Sequence, residues 1–151
     1  MNEKELNNNS ELAVDKFRKS NFSCAQAVLS TLAPQLGLDE EKSLKVAGAF
    51  GGGMAYMAET CGAVTASFMV IGLKYGMADS SRIEDKYKTY DLVHEFVKRF
   101  TERNGSIVCR DILGVDLSKP GEKDRANAQN LFEEKCTGFV SDAVEILEDI
   151  L

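Results

Sequence analysis

Thr60-Cys61-Gly62-Ala63-Val64-Thr65-Ala66-Ser67-Phe68-Met69-Val70-Ile71-Gly72-Leu73 is the longest apolar, small-residue-rich run of the chain, and a cysteine stands at its head. The run predicts a buried central helix over residues 60–75, capped by Thr60 and stopped at Gly76, with Cys61 in its first turn. Just upstream, Gly51-Gly52-Gly53 marks a loop. No Gly-Lys-Ser/Thr follows it, so it is not a phosphate-binding P-loop. Three more cysteines lie far off in sequence, at Cys24, Cys109 and Cys136.

Outward from this run, every segment reads as helix. Leu6, Leu12, Ala13 and Phe17 give an apolar face to residues 3–19, with residues 1–10 a candidate disordered lead. Cys24, Ala27, Val28, Thr31 and Leu32 recur at helical spacing, so 22–33 is a second helix, ended by Pro34 and Gly37. Asp39 caps a third, reaching about Ala49, with Glu40 and Glu41 placed favourably at its positive end. The longest helix starts at Asp79 or Ser80, carries the stripe Ile83, Tyr87, Tyr90, Val93, Val97 and Phe100, and stops at Asn104-Gly105. Ser106 caps a short helix closed by Gly114. Residues 122–151 are helical again, with a break expected near Thr137-Gly138. No strand pattern survives. The expectation is one all-α domain, a bundle of six to seven helices around the central one.

Composition narrows the function. A chain of 151 residues with 44% hydrophobic residues is long enough for one domain with a real core. Its net charge of −6 argues against nucleic-acid or anionic-membrane partners, which need clustered Lys and Arg. The polar N-terminus has no apolar core of a signal peptide, and the central run is too short and interrupted to insert in a bilayer. The expected location is the cytoplasm, where four cysteines are packing residues, metal ligands or redox thiols rather than a disulfide framework.

The cysteines are therefore the candidate site. No C-x-x-C is present and no histidine is paired with a cysteine, which removes thioredoxin-like and zinc-finger motifs. Position says more. Cys24, Cys61 and Cys109 all fall at expected helix starts, and Cys136 lies by the expected break. Free N–H groups at a helix start lower a thiol's pKa, and the thiolate is the form that attacks disulfides or binds metal. Backbone amides of Gly51, Gly52, Gly53 and Gly62 are candidates for contact with a bound group. His94 reads as a boundary histidine, Arg110-Asp111 as a solvated pair, and Met54, Met57, Met69 and Met77 as core filling.

Several local contexts together resemble one family. They are Asn21-Phe22-Ser23-Cys24-Ala25-Gln26-Ala27-Val28, Phe50-Gly51-Gly52-Gly53-Met54, Thr60-Cys61-Gly62-Ala63-Val64-Thr65, the run from Gly105 through Cys109 to Gly114, and Cys136. In this order they resemble the C_GCAxxG_C_C family, to which redox activity is ascribed without a substrate. The likeness covers roughly residues 11–149, and departs from the pattern CGAxxG at Ala66, where the family has glycine. It implies a helical protein with Cys24, Cys61, Cys109 and Cys136 as its functional residues. It also implies work beside a redox partner, a transporter or an oxidoreductase.

Three functions stay open at this level. The cysteines converge as dithiol/disulfide pairs of a thiol-based oxidoreductase or electron-transfer protein, with Cys61 the favoured attacking thiol. Alternatively, the same four hold zinc or an iron–sulfur cluster, since all-thiolate sites suit soft metals. Or the chain is a helical homodimeric interaction module, with its cysteines as packing in the core.

Overall fold

In the computed structural model, which describes the backbone from Glu3 and the side chains from Asn9, the central run is a helix one residue later than its cap suggested. Among the described residues eight helices form and no strand. They are α1 (Glu3–Lys19), α2 (Cys24–Leu32), α3 (Glu40–Val46), α4 (Gly62–Tyr75), α5 (Ile83–Asn104), α6 (Cys109–Leu113), α7 (Glu122–Ala128) and α8 (Thr137–Ile150). The all-α expectation holds. Expectations placed on Leu6 and on residues 1–10 fall mainly outside the described side chains.

Cys61, not Thr60, is the N-cap of α4, and Val64 and Thr65 donate their first amides to its carbonyl. The helix buries Gly62, Ala63, Val64, Ala66, Ser67, Val70 and Ile71, and packs against α2, α5 and α8. Small residues allow these close approaches. Phe68, Phe96, Phe100 and Phe139 form an aromatic ladder from α4 through α5 to α8, with successive centroids 6.2, 5.8 and 6.4 Å apart. Edge-to-face and offset contacts of this kind add about 0.5–1.5 kcal/mol per pair beyond area burial. None of the helices described is long and apolar enough to cross a membrane.

α5 starts at Ile83, later than expected, because Asp79 is used in a turn: its carboxylate accepts from the Ser81 amide at 2.9 Å and hydroxyl at 2.7 Å. Only part of its stripe is core. Of the expected positions only Phe100 is fully buried, beside Phe96 outside that stripe; Val93 and Val97 are half-buried, and Ile83, Tyr87 and Tyr90 are exposed. Length explains this: 22 residues make about 33 Å of helix, against about 21 Å for the 14-residue α4 and α8 beneath it. Met57 and Met77 are exposed as well, so core filling does not describe them.

The C-terminal break lies earlier than expected. α7 ends at Gln129 and Asn130, the latter at φ +57°, and the chain then winds through a π-helical stretch, Phe132–Cys136, straight into α8. Cys136 has ordinary helical dihedrals and stands inside a continuous helical run rather than at a helix start.

The glycine stretch is the least ordinary part of the fold. After a turn from Gly51, Gly52 (φ +66°, ψ +33°) and Gly53 (φ +68°, ψ +47°) are left-handed, and Met54, Ala55 and Tyr56 continue at φ +69°, +51° and +62°. A left-handed conformation costs a non-glycine residue about 1–2 kcal/mol. Met54, Ala55 and Tyr56 therefore store strain that the neighbouring structure must overcome. It does so with backbone bonds from Ala58 to Gly52 (3.1 Å) and Glu59 to Gly53 (3.0 Å), and with an antiparallel bridge between Thr60 and Val108. Across that bridge Cys61 donates to Ile107 at 2.8 Å and Cys109 to Glu59 at 2.6 Å. Arg110, far from being a free solvated group, donates from Nη1 to the Ala58 carbonyl at 3.1 Å and pairs with Glu59. Ala55 is exposed, so Ala55→Gly is expected to relieve strain and raise unfolding free energy by roughly 0.5–1 kcal/mol. A urea titration in which this variant is less stable than the parent would show that the turn is not strained.

Candidate functional site

The same bridge that restrains the left-handed turn ties the segment that carries Cys61 to the one that carries Cys109, and the site is built outward from there. α2 supplies Cys24 as its first residue, directly after Ser23. Ser23 Oγ accepts the Gln26 amide at 3.2 Å while Gln26 Oε1 accepts the Ser23 amide at 3.0 Å, a complete capping box. This Ser-x-x-Gln pattern was readable in the sequence and fixes the exact start of α2. α4 supplies Cys61, α6 supplies Cys109, and the π-helical stretch supplies Cys136.

All four cysteines line one cavity of about 370 Å³. Cys24 and Cys61 belong to the main core, Cys109 to a second cluster with Leu113, Val115, Leu117 and Ala126, and Cys136 packs against both. The cavity is the seam between the two clusters. Gly51, Gly52, Gly53 and Gly62 line it too, and Phe17, Phe22, Phe132 and Phe139, which sequence reading missed, supply aromatic wall. Nothing in their spacing announced this, because they come from four separate segments. His94 is exposed and borders no cavity described.

The cysteines differ in chemistry. Cys61 donates its S–H to Cys24, which holds the Cys24 thiol down at about 7 against burial; the amides of Gly52, Ala25 and Ala63 also donate to that sulfur. Cys61 is pushed well up, first by this hydrogen bond to Cys24, then by burial and the neighbouring negative charge, with one opposing amide from Ala63. Three backbone donors against one make Cys24 the thiolate of the pair. The favoured attacking thiol from sequence was Cys61, on the strength of its helix-start position. Cys24 draws its amides from three segments, Ala25 of α2, Gly52 of the left-handed turn and Ala63 of α4, whereas Cys61 is left with the Ala63 amide alone.

Burial pushes the Cys109 thiol up to about 12, with the Cys24 charge adding to it, and raises Cys136 further for the same reasons. Both are neutral thiols at neutral pH. Raised thiols stabilise the fold fully below their unfolded value near 9 and lose that contribution as pH rises through the folded value. Stability is thus expected to fall between about pH 9 and 12, and Cys109→Val to flatten this fall in a comparison of melting temperatures against pH. Parallel curves for the two proteins would show that Cys109 does not stay protonated.

Gly62 explains how Cys24 approaches α4. A Cβ at Gly62 would stand 2.7 Å from Cys24 Sγ and 2.8 Å from the Phe50 carbonyl oxygen. Ala66, where the family pattern has glycine, is fully buried and lines no part of the cavity. The donor set is soft, as a thiolate metal site requires. Yet among the described residues no three His, Cys, Asp or Glu side chains are grouped to hold a metal ion. As placed, the thiols do not fit a single bound ion such as zinc.

Fold and site together define an all-α protein whose four cysteines, widely separated in sequence, surround one cavity. The chain belongs to the C_GCAxxG_C_C family: the model described as "Putative redox-active protein (C_GCAxxG_C_C)" matches residues 22–150. A redox role in general follows from that membership. No curated protein and no solved structure matches the chain.

Proposed function

We propose that this protein is a dithiol/disulfide redox protein in which Cys24 is the attacking thiol and Cys61 the resolving one. The observation that carries this reading is that Cys24 and Cys61 line one cavity wall, with Cys24 Sγ packed against Gly62, the residue that follows Cys61. In the oxidative half-reaction the Cys24 thiolate attacks one sulfur of an external disulfide. That S–S bond breaks, a mixed disulfide forms at Cys24, and the first thiolate leaves. Cys61 gives its proton to the leaving thiolate and attacks Cys24 Sγ. The Cys24–Cys61 disulfide forms, the second thiolate departs and takes a proton from water, and two electrons have passed to the oxidant. An external dithiol reverses the sequence, and the amides of Gly52, Ala25 and Ala63 favour Cys24 as its leaving thiolate. Cys109 and Cys136, held protonated, are spectators of this cycle.

The test is to purify the full chain without air, measure bound metal, oxidise mildly, and map disulfides by peptide mass. The expected result is one reversible disulfide joining the Cys24 and Cys61 peptides. A Cys24 disulfide to Cys109 or Cys136, or stoichiometric iron or zinc held until acid release, would overturn the assignment.

A further inference from the structure

The cavity wall bears on which oxidants can reach Cys24. Among the described residues, every side chain that lines it is apolar, aromatic, thiol, hydroxyl or amide, and none but the Cys24 thiolate carries a charge. Five rings, those of Phe17, Phe22, Tyr56, Phe132 and Phe139, contribute to it. Its rim includes the exposed residues Asn21, Tyr56 and Asn127. The cations around the cavity are each engaged: Lys123 has its ammonium 4.6 Å from the centroid of the Tyr56 ring, Lys135 donates to the Leu113 carbonyl at 3.1 Å, and Arg110 donates to the Ala58 carbonyl and pairs with Glu59. A volume of about 370 Å³ lies in the range of small-molecule sites. Cys24 itself is only 8% exposed, so a cystine fixed in the surface of a folded protein could not be brought against it.

Resting on the dithiol reading, we infer that the substrate of this site is a small, uncharged, largely apolar organic disulfide. Three physical terms select it. An anionic disulfide would lose its hydration in the cavity and meet only cations already held by the Tyr56 ring, the Leu113 and Ala58 carbonyls and Glu59, a desolvation cost that an uncharged one escapes. The developing contact would also place its carboxylates near the Cys24 thiolate, in a medium where like charges repel more strongly than in water. Finally, the chain's net charge of −6 disfavours the approach of anions at long range. An apolar substituent, by contrast, exchanges water for the aromatic wall. The reaction balances within the half-cycle already described: one disulfide plus the Cys24 and Cys61 thiols give two small thiols and the Cys24–Cys61 disulfide.

The reduced full-length chain is mixed in single turnover with bis(2-hydroxyethyl) disulfide, which is uncharged, and separately with glutathione disulfide, which carries carboxylates. Each rate is divided by that disulfide's rate with free dithiothreitol. The expected normalised preference is on the order of tenfold or more for the uncharged disulfide. Asn127→Lys, on the exposed rim, is expected to move the ratio towards glutathione disulfide by supplying an unengaged cation. Equal normalised rates, a preference for glutathione disulfide, or a ratio indifferent to Asn127→Lys would overturn the selectivity while leaving the dithiol reading in place. Failure of both disulfides to oxidise Cys24 would overturn the dithiol reading itself, and the selectivity with it.

Discussion

Alkylation of Cys24 by iodoacetamide is expected to rise through an inflection near pH 7, and in Cys61→Ala that inflection is expected to move up towards 9.0. The sign follows from what Cys61 does. Its S–H donates to the Cys24 sulfur, and this stabilises the thiolate more than the thiol. With the donor gone, burial still opposes the charge and only the three backbone amides support it. The magnitude is set by two opposing effects. At pH 7 a thiol of pKa 7 is half ionised, whereas one of pKa 9 is about 1% ionised, a difference of about fiftyfold. Lower basicity also makes each thiolate less nucleophilic, by up to about tenfold over two units. A net advantage of about fivefold remains at pH 7 for the native chain. Mass spectrometry of the Cys24 peptide across pH 5–10 reads both the inflection and the rate. Cys61→Ser, which keeps a donor, should restore part of the shift. An inflection that stays put in Cys61→Ala would mean that the amides alone set the pKa, and the mutual contact would lose its role.

Gly62→Ala and Gly72→Ala, two identical changes in one helix, are expected to act in opposite directions. Alanine inside a helix is favoured over glycine by about 1 kcal/mol. At Gly72 a Cβ meets nothing within 4 Å, so that gain should appear in full as added stability. At Gly62 the new Cβ would meet Cys24 Sγ at 2.7 Å, the Phe50 carbonyl oxygen at 2.8 Å and Ala25 Cβ at 3.2 Å. Overpacking of a tight core costs about 1–3 kcal/mol, and here one of the obstacles is backbone that cannot rotate away. The clash outweighs the propensity gain, so Gly62→Ala should be the less stable protein and should also form the Cys24–Cys61 disulfide more slowly. Denaturant melts give the first quantity, and thiol loss under mild oxidant the second. A stable Gly62→Ala variant with native disulfide kinetics would mean that α2 and α4 can separate without cost, and that the close approach is not what sets the thiol pair.

Much of the architecture was legible because it is local. The small-residue-rich apolar run of residues 60–75 reads as a buried helix, and α4 ends at Tyr75 as read. Asp39 caps α3, Gly105 and Gly114 end α5 and α6, all through short-range backbone chemistry written in adjacent residues. Where reading went astray, a longer-range demand decided. Asp79 spends its carboxylate on Ser81 rather than on capping α5. The stripe of α5 runs past the helices that could bury it. The break expected near Thr137-Gly138 was displaced to Gln129 and Asn130, leaving Cys136 within a continuous helical run.

The all-α class, the four candidate cysteines and the fit of small residues along α4 are written in the chain itself. These depend on periodicity, caps and side-chain volume, which neighbours along the chain reveal. Contacts between distant segments set the rest: all four thiols border one cavity, Cys24 rather than Cys61 has the lowered pKa, and a left-handed turn supplies one of its amides. A thiol's ionisation is set by the count of donors and charges around it in space and by its depth from water. Those come here from α2, from Gly52 and from α4, segments that meet only after the chain has folded.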